Sequence, residues 1–373
     1  MITGLSVAFF LNTLVWFSQG LDNNLARTPP MGWMTWERFA CETDCNRYPD
    51  TCISEHMIIN QAKSFKDQGF LDAGYQYMII DDCWIGKRDE KTQEIRAEPK
   101  RFPNGMEHVS KYLNNLGISF GIYLDFGSLT CGGYPGSEFH LNQDAQTLAK
   151  WNVSYVKMDG CYANAKDYEK GYETFSKFIN TQDRSTVFSC SYPAYMNWEQ
   201  GDPFSWTKLV ENCNLWRMYY DITDDWGAVL GIIDLYKKQN DKLSRYGGIG
   251  HWNDPDMLMI GNFGLSRSQS FAQMGMWAIF AAPLIMSTDL TSIDPDMKSI
   301  LLDKDLIGID QDSLGVPGQF VKDQGKLSFW KRTLSLNRMA IAVLNSDTIG
   351  SSKRVTVSFR DFGIPEDYQV ILN

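Results

Sequence analysis

Carboxylates collect where apolar runs of this chain stop: Asp81 and Asp82, Asp125, Asp159, Asp221, Asp224 and Asp225, and Asp254 and Asp256. The sharpest of these points is Tyr155-Val156-Lys157-Met158-Asp159-Gly160-Cys161, an apolar run that ends in a lysine, an aspartate and a glycine turn. Side chains of a strand alternate faces, so Lys157 and Asp159 point the same way at the strand's C-terminal end. Any one aspartate of the set has a plain alternative use, capping the helix that follows a strand. A whole set at strand ends is different, because parallel strands closed into a barrel bring those ends around one pocket.

Two such carboxylates support glycoside hydrolysis, one attacking the anomeric carbon or activating water and the other protonating the leaving oxygen. Asp159 suits the nucleophile, since the charge of Lys157 on the same face favours an ionised carboxylate. Asp221 suits the acid; it closes Trp216-Arg217-Met218-Tyr219-Tyr220-Asp221, where Arg217 and Asp221 can both line the pocket mouth. Trp33, Trp36, Trp84, Tyr123, Tyr192, Tyr195, Trp216 and Trp252 accompany the acids. About half of them belong to the core. The rest would give flat apolar walls beside hydrogen-bonding carboxylates, which suits a sugar ring with its apolar C–H face and rim of hydroxyls. Other devices fail: there is no Gly-x-Ser-x-Gly elbow, no Walker loop and no His-Glu-x-x-His helix.

The elements that must position these residues are eight β-rich runs, 31–36, 77–81, 119–125, 155–159, 186–190, 215–221, 248–252 and 277–286, with helical-period stretches between them. Met57, Ile58, Ala62, Phe65 and Phe70 mark one such amphipathic helix, with Gly69 near its end. This alternation predicts an α/β protein, a (β/α)8 TIM barrel with parallel strands. The alternative, an open doubly wound sheet, would normally carry a glycine-rich phosphate turn; Gly248-Ile249-Gly250 lacks the third glycine. After about residue 315 the texture changes. Short alternating segments at 327–331, 339–344 and 354–359, separated by Asn345-Ser346-Asp347 and Gly350-Ser351-Ser352, predict a smaller C-terminal antiparallel β-sandwich domain, here incomplete. The expected organisation is a signal peptide at 1–20, a catalytic barrel at 21–317 and the β domain at 318–373.

Composition narrows the class. A chain of 373 residues that is 43% hydrophobic can bury a large core, and a net charge of −10 argues against nucleic acid as a partner. Residues 1–20 carry no charged side chain, and an apolar stretch too short to span a bilayer comfortably precedes Ser18-Gln19-Gly20. That reads as a cleaved secretory signal, with no stable membrane insertion of the mature chain. Eight cysteines, an even set behind a signal, read as disulfides. Metal is not indicated, because Cys41-x3-Cys45 stands alone and only four histidines exist. Asn152-Val153-Ser154 is the one glycosylation sequon.

Five motifs together carry a family resemblance: Thr28-Pro29-Pro30-Met31-Gly32-Trp33, Ile80-Asp81-Asp82-Cys83-Trp84, Gly121-Ile122-Tyr123, Val156-Lys157-Met158-Asp159-Gly160-Cys161 and Gly250-His251-Trp252-Asn253-Asp254-Pro255-Asp256-Met257. In order and spacing the chain resembles glycoside hydrolase family 27 from about Arg27 onward. The resemblance implies a retaining double displacement without a cofactor, with Asp159 as nucleophile and Asp221 as acid, then base. It implies that Asp81 and Asp82 hold the 4- and 6-hydroxyls of a galacto-configured ring and that Trp33 packs on its apolar face. Tyr123, Lys157, Cys161, Arg217 and Asp256 would complete the shell. It also implies the pairs Cys41 with Cys83, Cys45 with Cys52, Cys131 with Cys161, and Cys190 with Cys213.

Substrate choice in that family rests on Ser189-Cys190-Ser191-Tyr192-Pro193-Ala194-Tyr195. Its galactosidases carry Glu and Leu where Ser191 and Ala194 stand, and small residues open space for an acetamido group, with Tyr195 nearby. The resemblance therefore implies a lysosomal, homodimeric exo-enzyme that removes terminal α-linked N-acetylgalactosamine from glycolipids and glycopeptides. Its alternatives are an α-galactosidase, secretion rather than lysosomal delivery and, in another class, a non-catalytic galactose-binding protein.

Overall fold

Eight short apolar segments lie side by side in the computed structural model, which describes residues 21, 23–183, 185–347 and 353–364. They are β1 Met31–Met34, β2 Tyr77–Ile80, β3 Ser119–Asp125, β4 Tyr155–Asp159, β5 Val187–Cys190, β6 Leu215–Arg217, β7 Trp252–Asp254 and β8 Leu284–Met286. All pair in parallel, in the order β7-β6-β5-β4-β3-β2-β1-β8. Strands covered on both faces read as near-continuous hydrophobic runs, and these are buried almost throughout. Helices run between them. Glu55–Asp67 is capped by Ser54, whose hydroxyl accepts the Met57 N–H at 3.3 Å, and it is followed by Gly69 at φ +86°.

The sheet closes on itself between β7 and β8 through one parallel bridge, Leu258 to Met286. The sequence of β7 explains why no longer ladder forms there. Pro255 follows its last residue and cannot donate, and Asp256 sits at φ +79°. The chain is thrown out of the sheet for a few residues and returns at Leu258, whose N–H donates to the Ile285 carbonyl at 2.8 Å.

Three strands differ from expectation by more than two residues. The run at 248–252 is largely a turn, with Gly250 at φ +85° and the Gly248 N–H on the His251 carbonyl, so β7 begins only at Trp252. Of the run at 277–286, the first part is the buried end of a helix, Arg267–Phe280, which starts with a Ser266/Gln269 capping box. A fully buried helix end and a buried strand have the same apolar texture, and periodicity cannot separate them. Residues 218–221 are loop rather than strand, which sets Asp221 beyond the end of β6.

A second, antiparallel sheet follows: β9 Gln319–Gln324, β10 Leu327–Leu334 and β11 Arg338–Asn345, with β10 in the centre. Its own small core is Leu327, Phe329 and Phe362. β10 also docks on the barrel. Trp330 meets Phe280 edge-on at 5.3 Å, and the Arg332 guanidinium donates to the carbonyls of Ala278, Asp310 and Val316. The expected strand at 354–359 is not one. Val355 and Val357 alternate as a strand would, but no neighbouring edge pairs with them among the described residues, and the segment leads into a 3-10 turn, Phe359–Phe362. The disulfides are Cys41–Cys83, Cys45–Cys52, Cys131–Cys161 and Cys190–Cys213. Asn152 stands exposed in the turn before β4. The expected signal peptide lies outside the described residues.

Candidate active site

Parallel strands put all their C-terminal ends on one rim, and the carboxylates arrive there by register. Asp125 pairs with Asp159 across β3 and β4, and Tyr123 with Lys157 one step below. Lys157 is buried and reaches past Tyr123, whose ring centre lies 5.5 Å from its Nζ, to donate to Asp81 Oδ2 beyond β2 at 2.7 Å. Burial works against its charge, but Asp81 and then Asp159 outweigh burial and hold the ammonium charged. Asp82 is fixed by amides, Cys83 N–H at 2.6 Å and Gly132 N–H at 2.7 Å. A Cβ on residue 132 would lie 2.8 Å from Cys83 Sγ and 3.0 Å from Asp82 Oδ2, so glycine is what permits that approach.

Asp159 is partly exposed at the centre of this rim. Its Oδ1 accepts the Tyr195 hydroxyl at 2.6 Å and the Gly160 N–H at 3.0 Å. Among the described residues its Oδ2 has only the Cys131 sulfur at 3.5 Å, and that sulfur is in a disulfide with no proton to give. The disulfide partner, Cys161, lies 3.4 Å from the same Tyr195 hydroxyl. Across the rim, one nitrogen of the buried Arg217, Nη2, is shared by Asp256 Oδ2 at 2.7 Å, Asp221 Oδ1 at 3.0 Å and the Tyr219 carbonyl at 3.2 Å. Asp256 also accepts the Ile222 N–H at 2.9 Å, tying the loop of Asp221 to the loop after β7. The side chain of Asp221 is 61% exposed. Burial would raise its carboxyl, but Arg217 and then Lys157 outweigh burial and hold it below the ordinary range.

The expected residues separate cleanly. Asp81, Asp82, Tyr123, Lys157, Asp159, Cys161, Ser191, Ala194, Tyr195, Arg217, Asp221 and Asp256 all fall within the last three residues of β2 to β7 or just beyond them. Trp33 does not serve as expected from the sequence. It is fully buried, with its indole N–H on the Thr288 carbonyl at 2.7 Å, so its face is spent on the core. Trp36, three residues on and partly exposed, is the tryptophan that leaves the core at this strand end. Trp84, Tyr123, Tyr192, Trp216 and Trp252 are buried as well, so the core claims more of the aromatics than half. Asp224 and Asp225 have the plain use: Asp225 caps a helix, and Asp224 accepts the Phe263 and Gly264 N–H groups.

One acid escaped sequence reasoning. Glu37 faces Asp256 and Asp221; burial, then those two charges, push it up to about 8. It lies one residue past the run that ends at Trp36, and extending the search for strand-end aspartates to glutamates would have found it. Glu37, Asp221 and Asp256 thus crowd around Arg217, and the group keeps a proton well into the neutral range.

A barrel rim with paired carboxylates, a charged lysine and a partly open mouth is the outline of a sugar-cleaving enzyme, and comparison agrees. Residues 28–312 match the family described as alpha galactosidase A, and residues 315–370 match its C-terminal beta sandwich domain. The chain belongs to this family, glycoside hydrolase family 27, and is a glycoside hydrolase. It is 42% identical to human alpha-galactosidase A over 95% of this chain and 83% of that one. It is 44% identical to alpha-N-acetylgalactosaminidase of Gallus gallus, over 92% of this chain and 85% of that one. The crystal structure of alpha-galactosidase I from Mortierella vinacea superposes with a TM-score of 0.78 at 30% identity, covering 87% of this chain and 83% of that chain. No helix among the described residues is long and apolar enough to cross a membrane.

Proposed function

We propose that the chain is a retaining exo-α-N-acetylgalactosaminidase. The carrying observation is at the end of β5, where Ser191 is buried and its Oγ has no hydrogen-bond partner among the described residues. A buried hydroxyl left unpaired is costly. An acetamido group on the sugar's 2-position would satisfy it, and the small Ala194 beside it leaves room for the acetyl methyl. Tyr195, from the same turn, bonds the nucleophile, so the 2-position recognition and the reacting carbon share one segment.

In this reading Asp159 attacks the anomeric carbon through Oδ2, since Oδ1 is occupied by Tyr195 and Gly160. Asp221 gives its proton to the glycosidic oxygen, the aglycone leaves, and a covalent glycosyl-aspartate remains. Asp221 then takes a proton from water, which breaks the ester and restores the α-configuration. A carboxyl held low by Arg217 is a proton donor only in acid, which supports work in an acidic compartment such as the lysosome. Charged Lys157 and Asp81, with Asp82, would grip the 4- and 6-hydroxyls. A homodimer acting on glycolipids and glycopeptides completes the proposal.

The deciding experiment compares matched nitrophenyl α-glycosides. kcat/KM is expected to be higher for the N-acetylgalactosaminide, with slower turnover of the galactoside, because the smaller sugar fits the larger pocket. A preference for the plain galactoside would overturn the choice of sugar, and a β-configured first product would overturn retention.

A further inference from the structure

Tyr195 belongs to the 3-10 turn Tyr192–Tyr195 beyond β5, yet its hydroxyl ends at a side chain of β4, on Asp159 Oδ1 at 2.6 Å. A phenol has one proton to give. The other polar atoms placed around this oxygen are Cys161 Sγ at 3.4 Å and Cys131 Sγ at 3.6 Å. They form one disulfide, which has no proton to donate and accepts only weakly. The proton of Tyr195 therefore serves the carboxylate. A separation of 2.6 Å is that of an O–H donating to an ionised oxygen, the stronger class of hydrogen bond.

The backbone of the same strand end is held by the start of the helix Tyr168–Asn180. The buried Tyr172 hydroxyl donates to the Asp159 carbonyl at 2.8 Å and the Met158 carbonyl at 3.0 Å, and the Tyr168 hydroxyl donates to the Gly160 carbonyl at 2.6 Å. A Cβ on residue 160 would lie 2.9 Å from the Tyr168 ring, so glycine is what admits that ring. The same two tyrosines meet the turn beyond β5. Between ring centres, Tyr168 lies 5.8 Å from Tyr195 and 6.4 Å from Tyr192, and Tyr172 lies 4.9 Å from Tyr192. Carboxylate, carbonyls and turn are thus fastened together. With Oδ1 taken by Tyr195 and the Gly160 N–H, rotation of the carboxylate is opposed, and Oδ2 is the oxygen left without a donor among the described residues.

We propose that Tyr195 is a positioning residue for the double displacement: its hydroxyl, backed by Tyr168 and Tyr172, fixes Asp159 so that Oδ2 meets the anomeric carbon. This rests on Asp159 being the nucleophile. The turn that follows Ser191 and carries Ala194 beside the 2-position thereby also sets the attacking atom, so it acts on rate as well as on sugar choice.

The test is the rate at which a galacto-configured 5-fluoro-α-glycosyl fluoride labels the enzyme, followed by intact mass. Asp159 Oδ2 bonds to the anomeric carbon as fluoride departs with the electron pair, and that leaving group requires no proton. The second fluorine, beside the ring oxygen, disfavours the oxocarbenium-like transition state of hydrolysis, so the glycosyl-enzyme accumulates. Tyr195→Phe keeps the ring and removes only the hydroxyl. It is expected to lower the limiting labelling rate about ten- to a hundredfold, with the half-saturating reagent concentration unchanged within about twofold. Tyr168→Phe, which acts on the Gly160 carbonyl, is expected to lower the same rate about threefold. On the matched nitrophenyl pair, Tyr195→Phe should reduce kcat/KM by similar factors for both sugars. Labelling as fast as wild type, with or without a lower Tm, would overturn the proposal. So would a kcat/KM loss confined to the N-acetylgalactosaminide, which would make the hydroxyl a reader of the acetamido group. Failure of the enzymatic reading is separable: a wild type labelled elsewhere than at Asp159 removes the nucleophile, and the proposal with it, whatever the variants do.

Discussion

The ends of β4 and β6 are built from the same parts, a buried cation and an aspartate a few residues later, yet they make different sites. On β4 the lysine turns away from its own aspartate to Asp81, and Asp159 keeps one oxygen free of donors among the described residues. On β6 the arginine binds its own aspartate directly and shares the same nitrogen with Asp256. In the proposed mechanism the first arrangement serves a carboxylate that attacks, and the second a carboxyl whose proton is governed by its neighbours. A cation a few residues before an aspartate is therefore no guide to that aspartate's role until the third partner is known.

The largest effect should come from the β4 side. Asp159→Asn is expected to lower kcat by about 10⁴-fold or more while binding of the free sugar survives. An equally large loss of binding would mean that the site had collapsed rather than lost its nucleophile. On the β6 side Asp221→Ala should cost about 10²- to 10⁴-fold on substrates with poor leaving groups and far less on an α-glycosyl fluoride, whose leaving group requires no proton. Equal losses on both substrates would dissolve the distinction between the two strand ends. The effect of the proposed sugar choice at the end of β5 is smaller. Ser191→Glu with Ala194→Leu should shift preference toward the plain galactoside by about 10- to 200-fold in the ratio of kcat/KM values, read on the matched nitrophenyl pair. No shift would take specificity away from this turn.

The smallest expected effect is on stability. Asp125 and Asp310 are pushed up to about 8 from 3.8 by burial, Glu37 to about 8 from 4.5, and Asp254 to about 6. The folded state thus holds more protons than the unfolded one between about pH 4 and pH 8, so stability falls as pH rises through that window. Acids held low, Asp221 among them, act oppositely and only at the acid end. Tm should therefore peak in mild acid and decline toward pH 8. Asp310→Asn, with a neutral side chain at the buried junction with the β domain, should flatten that decline; a Tm that rises between pH 5 and 8 would contradict it.

Much of the site was legible because strand ends are marked twice, by apolar runs and by the acids and turn residues that come directly after them. Lys157 and Asp159 share a face by alternation alone, and the acids of β2, β3, β4, β6 and β7 end or follow their strands in sequence. Each failure had a physical cause. Trp33 and Trp36 are both aromatic at one strand end, and only packing decides that Trp33 goes inward. The 277–286 run is apolar whether helix or strand, and Val355 and Val357 alternate without an edge to pair with.

The sequence by itself determined the parallel strands, their order of carboxylates and the small residues after β5, because alternation and residue size are local properties. Only the tertiary structure decided the partners: that Lys157 serves Asp81, that Arg217 serves three acceptors, that Glu37 lies beside Asp221 and Asp256, and that Asp125 has no ion-pair partner among the described residues. Those are matters of distance between distant segments and of burial, and in a low-dielectric rim they set where each proton and charge resides.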